Sequence, residues 1–173
     1  MDIISHGLVG KFFQLISTTR NKKEKMTIVS FAILPDIPIF FIYILLGIEK
    51  ERPFWIPHNS DWIGLRDAHP IWSACWELPH SALFLMLVII PFVLYFKLHK
   101  VCIISYFLHI VLDIFTHTGE WAIKIFYPFD FMVNGFTEAW AWPIQYMILS
   151  WTLLIVSMLT YKLIVKKRTI NYE

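Results

Sequence analysis

Ionisable side chains interrupt two of the most apolar segments of this chain. Asp36 stands in the run Ile33-Leu34-Pro35-Asp36-Ile37-Pro38-Ile39. His109, Asp113 and His117 fall along the second half of a segment that begins near Val101. An ionisable residue at the centre of a membrane helix costs roughly 3 kcal/mol on insertion scales, so it marks function by default. Such groups must face a bundle interior or a wet cavity, because lipid offers them no partner.

Of the 173 residues, 57% are hydrophobic and 16% charged, where soluble domains carry about a quarter charged. The chain therefore reads as an integral membrane protein. Five helical segments stand out: Ile3 to Ser17, Met26 to Ile48, His80 to Leu98, Val101 to Thr118 and Pro143 to Val165. The last four approach the ~20 residues that cross a bilayer. Gly7, Gly10 and Lys11 make the first less apolar. It either spans with its polar face hidden in the bundle or lies in the interface. The expected fold is all-α: a polytopic bundle of four transmembrane helices plus the N-terminal helix, in one domain over residues 1–173. Asp2 and the lack of a small-residue cleavage site argue against a cleaved signal peptide. Cys75 and Cys102 fall near opposite ends of one helix, which argues against a disulfide.

Basic residues give the orientation. Arg20, Lys22, Lys23 and Lys25 fill the first connection, Lys97 and Lys100 flank the third-to-fourth turn, and Lys166, Lys167 and Arg168 follow the last helix. All three clusters belong on one side, expected to be the cytoplasm. The loops at about 49–79 and 119–142 then face outward. They hold Trp55, Trp62, Trp72, Trp76, Trp121, Trp140 and Trp142, which suit the membrane–water interface. The first loop is long enough to fold as a cap over the outer mouth. The net charge of +2 gives no nucleic-acid footprint. Nothing in the sequence fixes an oligomeric state.

His109 and Asp113, four apart, project from one helix face about 40° apart. Ser105, Thr116 and His117 extend the stripe, and Glu120 lies just beyond. A His and an Asp on consecutive turns are placed to share a divalent ion; a structural His–Asp hydrogen bond is the plainer alternative. Asp36 lies between two prolines that disrupt the helix ladder. It could bind a metal, cap the restarting helix or orient a histidine. His80 and His6 lie in the outer half under the same orientation. His58 and His69, with Asp61 and Asp67, belong to the capping loop, and His99 to the cytoplasmic turn.

In order and spacing the chain resembles a family of bacterial inner-membrane proteins assigned as metal-dependent hydrolases, the LexA-regulated group and its relatives. The matching pieces are Ile4-Ser5-His6-Gly7-Leu8-Val9-Gly10, Leu34-Pro35-Asp36-Ile37, His80-Ser81, His109-x-x-x-Asp113, Thr116-x-x-Gly119 and Tyr127-Pro128-Phe129. Many relatives look like His-Arg-Gly-x-Thr-His-Ser before the third helix. Here Cys75-Trp76-Glu77-Leu78-Pro79-His80-Ser81 lacks the first His and the Arg, and with them a metal ligand or a contact to a substrate anion. His117 with Glu120, or His69 from the cap, are the expected replacements.

Three readings follow. The first is a membrane-embedded metallohydrolase acting at the outer face on a lipid or lipid-linked ester or phosphoester. Its metal ligands come from His6, Asp36, His80, His109, Asp113 and His117, with Asp36 as general base or bridging ligand. A donor set without thiolate suits zinc, with manganese or iron as the other candidates. Six candidates exceed one four-coordinate ion, so a second ion lies nearby or some residues act indirectly. The second reading is a non-enzymatic protein that passes or senses protons or metal ions. The third is purely structural: polar groups locking helices together.

Overall fold

The computed structural model describes residues 1–17, 19 and 21–170, the last five by their backbone alone. Arg20 of the first basic cluster lies outside the described residues. The chain is mostly helical. Helix α1 (Ile3–Ile16) is followed by α2 (Lys22–Ile33), a tight turn at Leu34–Asp36, and α3 (Ile37–Glu49). The outer cap contains α4 (Leu65–Ala68) and α5 (Pro70–Glu77). The chain re-enters the bundle through α6 (Ala82–Phe84), a wide π-type turn at Leu85–Ile89, and α7 (Ile90–Tyr95). Helix α8 (Val101–Thr116) returns, and α9 (Ile144–Ile170) closes the chain. Between them β1 (Ile123–Lys124) and β2 (Met132–Val133) form an antiparallel ribbon, a departure from the all-α expectation.

Two helices are long and apolar enough to cross a membrane. One is the α2–α3 unit, Lys22–Glu49, and the other is Ile144–Val165 of α9. A third qualifies if α5 and Ala82–Tyr95, bent by 55° at Leu78–Ser81, count as one span. Helix α8 has 16 residues; at 1.5 Å per residue it reaches about 24 Å, short of a 30 Å hydrocarbon core. The expected four spans are thus two or three by length and composition.

The outside of the bundle is apolar: Phe40, Phe41, Leu87, Leu94, Phe107 and Leu153 are all exposed. The buried core divides in two. Ile28, Phe31, Leu85, Ile89, Val93, Cys102, Tyr106 and Ile110 join α2, α7 and α8. Ile42, Leu46, Trp62, Leu65, Trp76 and Ile123 join α3 to the cap. Ile114 packs against both. The break at Asp36 lies between α2 and α3, where the two cores meet.

Helix α1 turns its polar face inward, burying Ser5, His6 and Gln14. It lies close against α2 because of Gly10: a Cβ there would come within 2.5 Å of the Ala32 Cβ and 3.2 Å of the Val29 Cα. Helix α9 is bound to α1 by Trp151, whose Nε1–H points to Asp2 Oδ1 (3.2 Å) and Ser5 Oγ (3.1 Å). In the cap, Arg52 grips Asp61 with two hydrogen bonds, 2.9 and 2.7 Å. That guanidinium holds the Asp61 carboxyl down at about 2. Both cysteines are free thiols.

The two glycines of α1 separate packing from propensity. A Cβ on Gly7 meets only Ile33 Cγ2, at 3.7 Å. Gly7→Ala is expected to be neutral or stabilising by up to about 1 kcal/mol, since Ala is the better helix former. Gly10→Ala is expected to destabilise by about 1–3 kcal/mol, because overpacking outweighs the same gain. Unfolding midpoints of the two purified variants in detergent should therefore move in opposite directions, or at least only the second should fall.

Candidate metal centre

Five parts of the chain deliver side chains to one buried point. His6 comes from α1, Asp36 from the turn between α2 and α3, and His80 from the bend between α5 and α6. His109 and Asp113 come from α8, and His117 from the extended residue that ends it. His6, His80, His109, Asp113 and His117 are each 1% exposed, and Asp36 3%. All six residues singled out in the sequence are therefore gathered.

Asp36, His80, His109 and Asp113 form a group that could hold a metal ion. His80 Nε2 and His109 Nε2 lie 3.1 Å apart. Asp113 Oδ2 lies 3.2 Å from His80 Nε2 and 3.0 Å from His109 Nε2. Asp36 Oδ1 lies 3.5 and 3.6 Å from the same nitrogens. A tetrahedral ion with ligands at about 2.0–2.1 Å places those ligand atoms about 3.3–3.4 Å apart. The donor spacing fits such an ion.

The backbone fixes which nitrogen each ring presents. His80 Nδ1–H donates to the Trp76 carbonyl (2.7 Å), and His109 Nδ1–H to the Ala32 carbonyl (2.7 Å). In the neutral rings both Nε2 lone pairs then point at each other and at the carboxylates. Only a cation or added protons can hold such a set together. Among the described residues, neither Asp36 nor Asp113 pairs with a lysine or arginine.

His6 stacks on His109, ring centroids 3.6 Å apart, and its Nε2 is 2.9 Å from Asp113 Oδ1. His117 Nε2 lies 3.5 Å from that same oxygen. The Met1 amino group also bonds Asp113 Oδ1 and lies 2.6 Å from His117 Nε2.

Three supporting residues escaped the sequence reading. Glu138 accepts from His117 Nδ1–H (3.0 Å) and from the Thr118 and Trp140 amides. Its loop is seated by Gly135, whose amide donates to the His117 carbonyl (2.8 Å); a Cβ on Gly135 would lie 2.5 Å from the Ile114 carbonyl oxygen. Tyr106, fully buried, donates its hydroxyl to the Pro79 carbonyl (2.6 Å) and so holds the bend that carries His80. Trp140 covers the site on the side of the cap, edge-on to His117 at 5.5 Å and packed with Trp121 and Trp62.

Of the expected replacements for the missing His and Arg, His117 is at the centre, and Glu120 and His69 are not. Glu120 is exposed. His69 pairs with Glu49 (3.0 Å) and stacks on Trp72. His58 is an exposed residue of the cap, and His99 Nδ1 accepts the Val101 amide at the start of α8.

No protein-family model matches the chain, and no curated protein or solved structure matches it.

Tyr106→Phe tests how the bend is held. It removes the hydrogen bond to the half-buried Pro79 carbonyl, which costs about 0.5–1.5 kcal/mol. The variant is expected to fold, with a lower unfolding midpoint in detergent and a loosened His80.

Proposed function

We propose that this chain is a membrane-embedded metal-dependent hydrolase, multi-pass in a bacterial inner membrane, with its centre opening to the outer face. The observation that carries this reading is the buried His/Asp set at ion-binding spacing beside an apolar cavity. The cavity, about 350 Å³, is lined by Met1, Asp2, Ile3, Asp36, Ile39, Phe40, Tyr43 and Trp140. Ile3 and Phe40 are also exposed on the outside of the bundle. A lipid or lipid-linked ester or phosphoester suits such a flank: its chain stays among apolar side chains while its head reaches Asp36. The resemblance to the inner-membrane hydrolase family points the same way.

A bound divalent ion, zinc by the nitrogen and oxygen donors, would activate water and polarise a phosphoryl or acyl oxygen. The chain's own contributions are binding and orientation. His80, His109 and Asp113 would hold the ion, each fixed by a hydrogen bond or its neighbours. Asp36 would complete the set through Oδ1. Its Oδ2 is buried and accepts no hydrogen bond among the described residues, so it is free to take a proton from water or to meet another cation. The tryptophans above exclude bulk water.

The spanning count is proposed as four, with α8 completed by the residues flanking it. The outward orientation rests on Lys22, Lys23 and Lys25 at the start of α2 and on Lys97 and Lys100 between α7 and α8. The chain enters α2 and α8 from those ends, and His117 lies at the far end of α8.

Proton or ion transfer is the alternative, and it needs a path to the opposite side. Below His109, the bundle is filled by Ile28, Val93, Cys102 and Tyr106, none of which is exposed. Ser105 on α8 and Gln14 on α1 are buried polar groups on that side, and the Ser105 hydroxyl has no partner among the described residues. A floor so largely apolar favours hydrolysis over transfer.

Metal content by mass spectrometry tests the reading. Detergent-purified wild type is expected to carry near-stoichiometric zinc or manganese, which His109→Ala and Asp113→Ala lose while remaining folded. Loaded wild type should then hydrolyse lipid phosphoesters or esters in mixed micelles, and the variants should not. A protein that takes up no Zn²⁺ or Mn²⁺ sinks the proposal. One that binds metal but cleaves no lipid ester moves the reading to ion handling.

A further inference from the structure

The metal group of Asp36, His80, His109 and Asp113 uses one oxygen of each carboxylate. The other two oxygens point to a second set of donors. Asp113 Oδ1 faces His6 Nε2 (2.9 Å) and His117 Nε2 (3.5 Å). Asp36 Oδ2 lies 4.0 Å from the same His6 nitrogen. The four atoms repeat the composition of the first set, two imidazole nitrogens and two carboxylate oxygens. From these juxtapositions we infer a second divalent-cation position, made by His6, His117 and the outer oxygens of Asp36 and Asp113. Both carboxylates then bridge two ions.

Two observations support it besides the distances. Asp36 Oδ2 is buried without a hydrogen-bond partner among the described residues. A buried carboxylate oxygen left so is costly unless a cation meets it. Second, Glu138 takes the His117 Nδ1–H (3.0 Å). A carboxylate behind a ligating imidazole fixes the ring and raises its basicity. A purely structural histidine at the end of a helix has no need of it.

The arrangement accounts for six converging donors, more than one four-coordinate ion can use. It makes Asp36 a bridge rather than a general base. Paired ions about 3.5–4 Å apart are a recurrent way to stabilise both the attacking and the leaving oxygen of a phosphoester. The inference therefore favours phosphoesters within the proposed substrate class, and it rests on the first metal group being real.

The test counts ions on the full chain in detergent. Chelator-treated protein is reloaded with Zn²⁺ for mass spectrometry and with Mn²⁺ for electron paramagnetic resonance. Wild type is expected to bind two ions per chain and to show a spin-coupled Mn²⁺ pair. His6→Ala and His117→Ala should each bind one and show isolated Mn²⁺. Glu138→Gln, which keeps size and fold, should weaken only the second equivalent, about 10–100-fold. One ion in wild type, unchanged in His6→Ala, His117→Ala and Glu138→Gln, overturns the second position and leaves the first standing. No ion in wild type overturns both.

Discussion

Two carboxylates, Asp36 and Asp113, are buried together with no lysine or arginine on either among the described residues. That is the constraint on which the rest of the structure depends. Taking even one carboxylate out of water costs several kcal/mol after relaxation, and the cost falls only if positive charge or good donors meet it. Here the neighbours are imidazoles and, on Asp113 Oδ1, the Met1 amino group; two of the imidazoles have their Nδ1–H committed to backbone carbonyls. Their remaining nitrogens are acceptors when neutral. The cluster is an arrangement of lone pairs, which is how a protein prepares a place for a metal ion.

The fold can be understood as the means of delivering those lone pairs. Pro35 and Pro38 force the break that turns Asp36 into the bundle instead of outward. Gly10 lets α1 lie near enough to α2 for His6 to stack on His109. Tyr106 pins the bend before α6, so His80 enters from the cap side. The bend and the wide turn at Leu85–Ile89, just before Pro91, mean that this segment cannot run as a straight span. Regular helix is given up where the site needs reach, and the lost ladder bonds are offset by side-chain and loop partners. Ser81 shows this: its hydroxyl bonds the Ile125 and Tyr127 carbonyls and accepts from the Leu83 amide.

Much of the centre was legible in the sequence because hydrocarbon makes polar residues conspicuous. His109 and Asp113 had to share a face by helical spacing, and Asp36 stood out between prolines in an apolar run. His6 and His80 were weaker signals, useful only through the orientation set by lysines. Glu138 was illegible for a physical reason. It sits in an irregular loop, where no period relates it to α8, and a single Glu among tryptophans looks like any interfacial acid. The aromatic belt was also half the story: Trp62, Trp121 and Trp140 do suit an interface, yet they pack on one another over the site. The two-residue ribbon and the shortness of α8 had no signature, since both arise from how the outer loop docks, with Gly135 and Phe136 bonding the carbonyls of His117 and Phe115.

The structural and the metal readings of the cluster are not rivals in the way they first look. A helix-locking role asks only for donors matched to acceptors, and a single His–Asp hydrogen bond between α1 and α8 would serve. What the chain has is an excess of acceptors converging on one point, with Asp36 Oδ2 left over. Because α1, the α2–α3 break, the bend before α6 and α8 all contribute, an ion bound there would also cross-link the bundle. Ion binding and folding are then linked, as anything that binds only the native state adds to its stability. The same excess of acceptors that makes the site costly without a cation would make it bind one well.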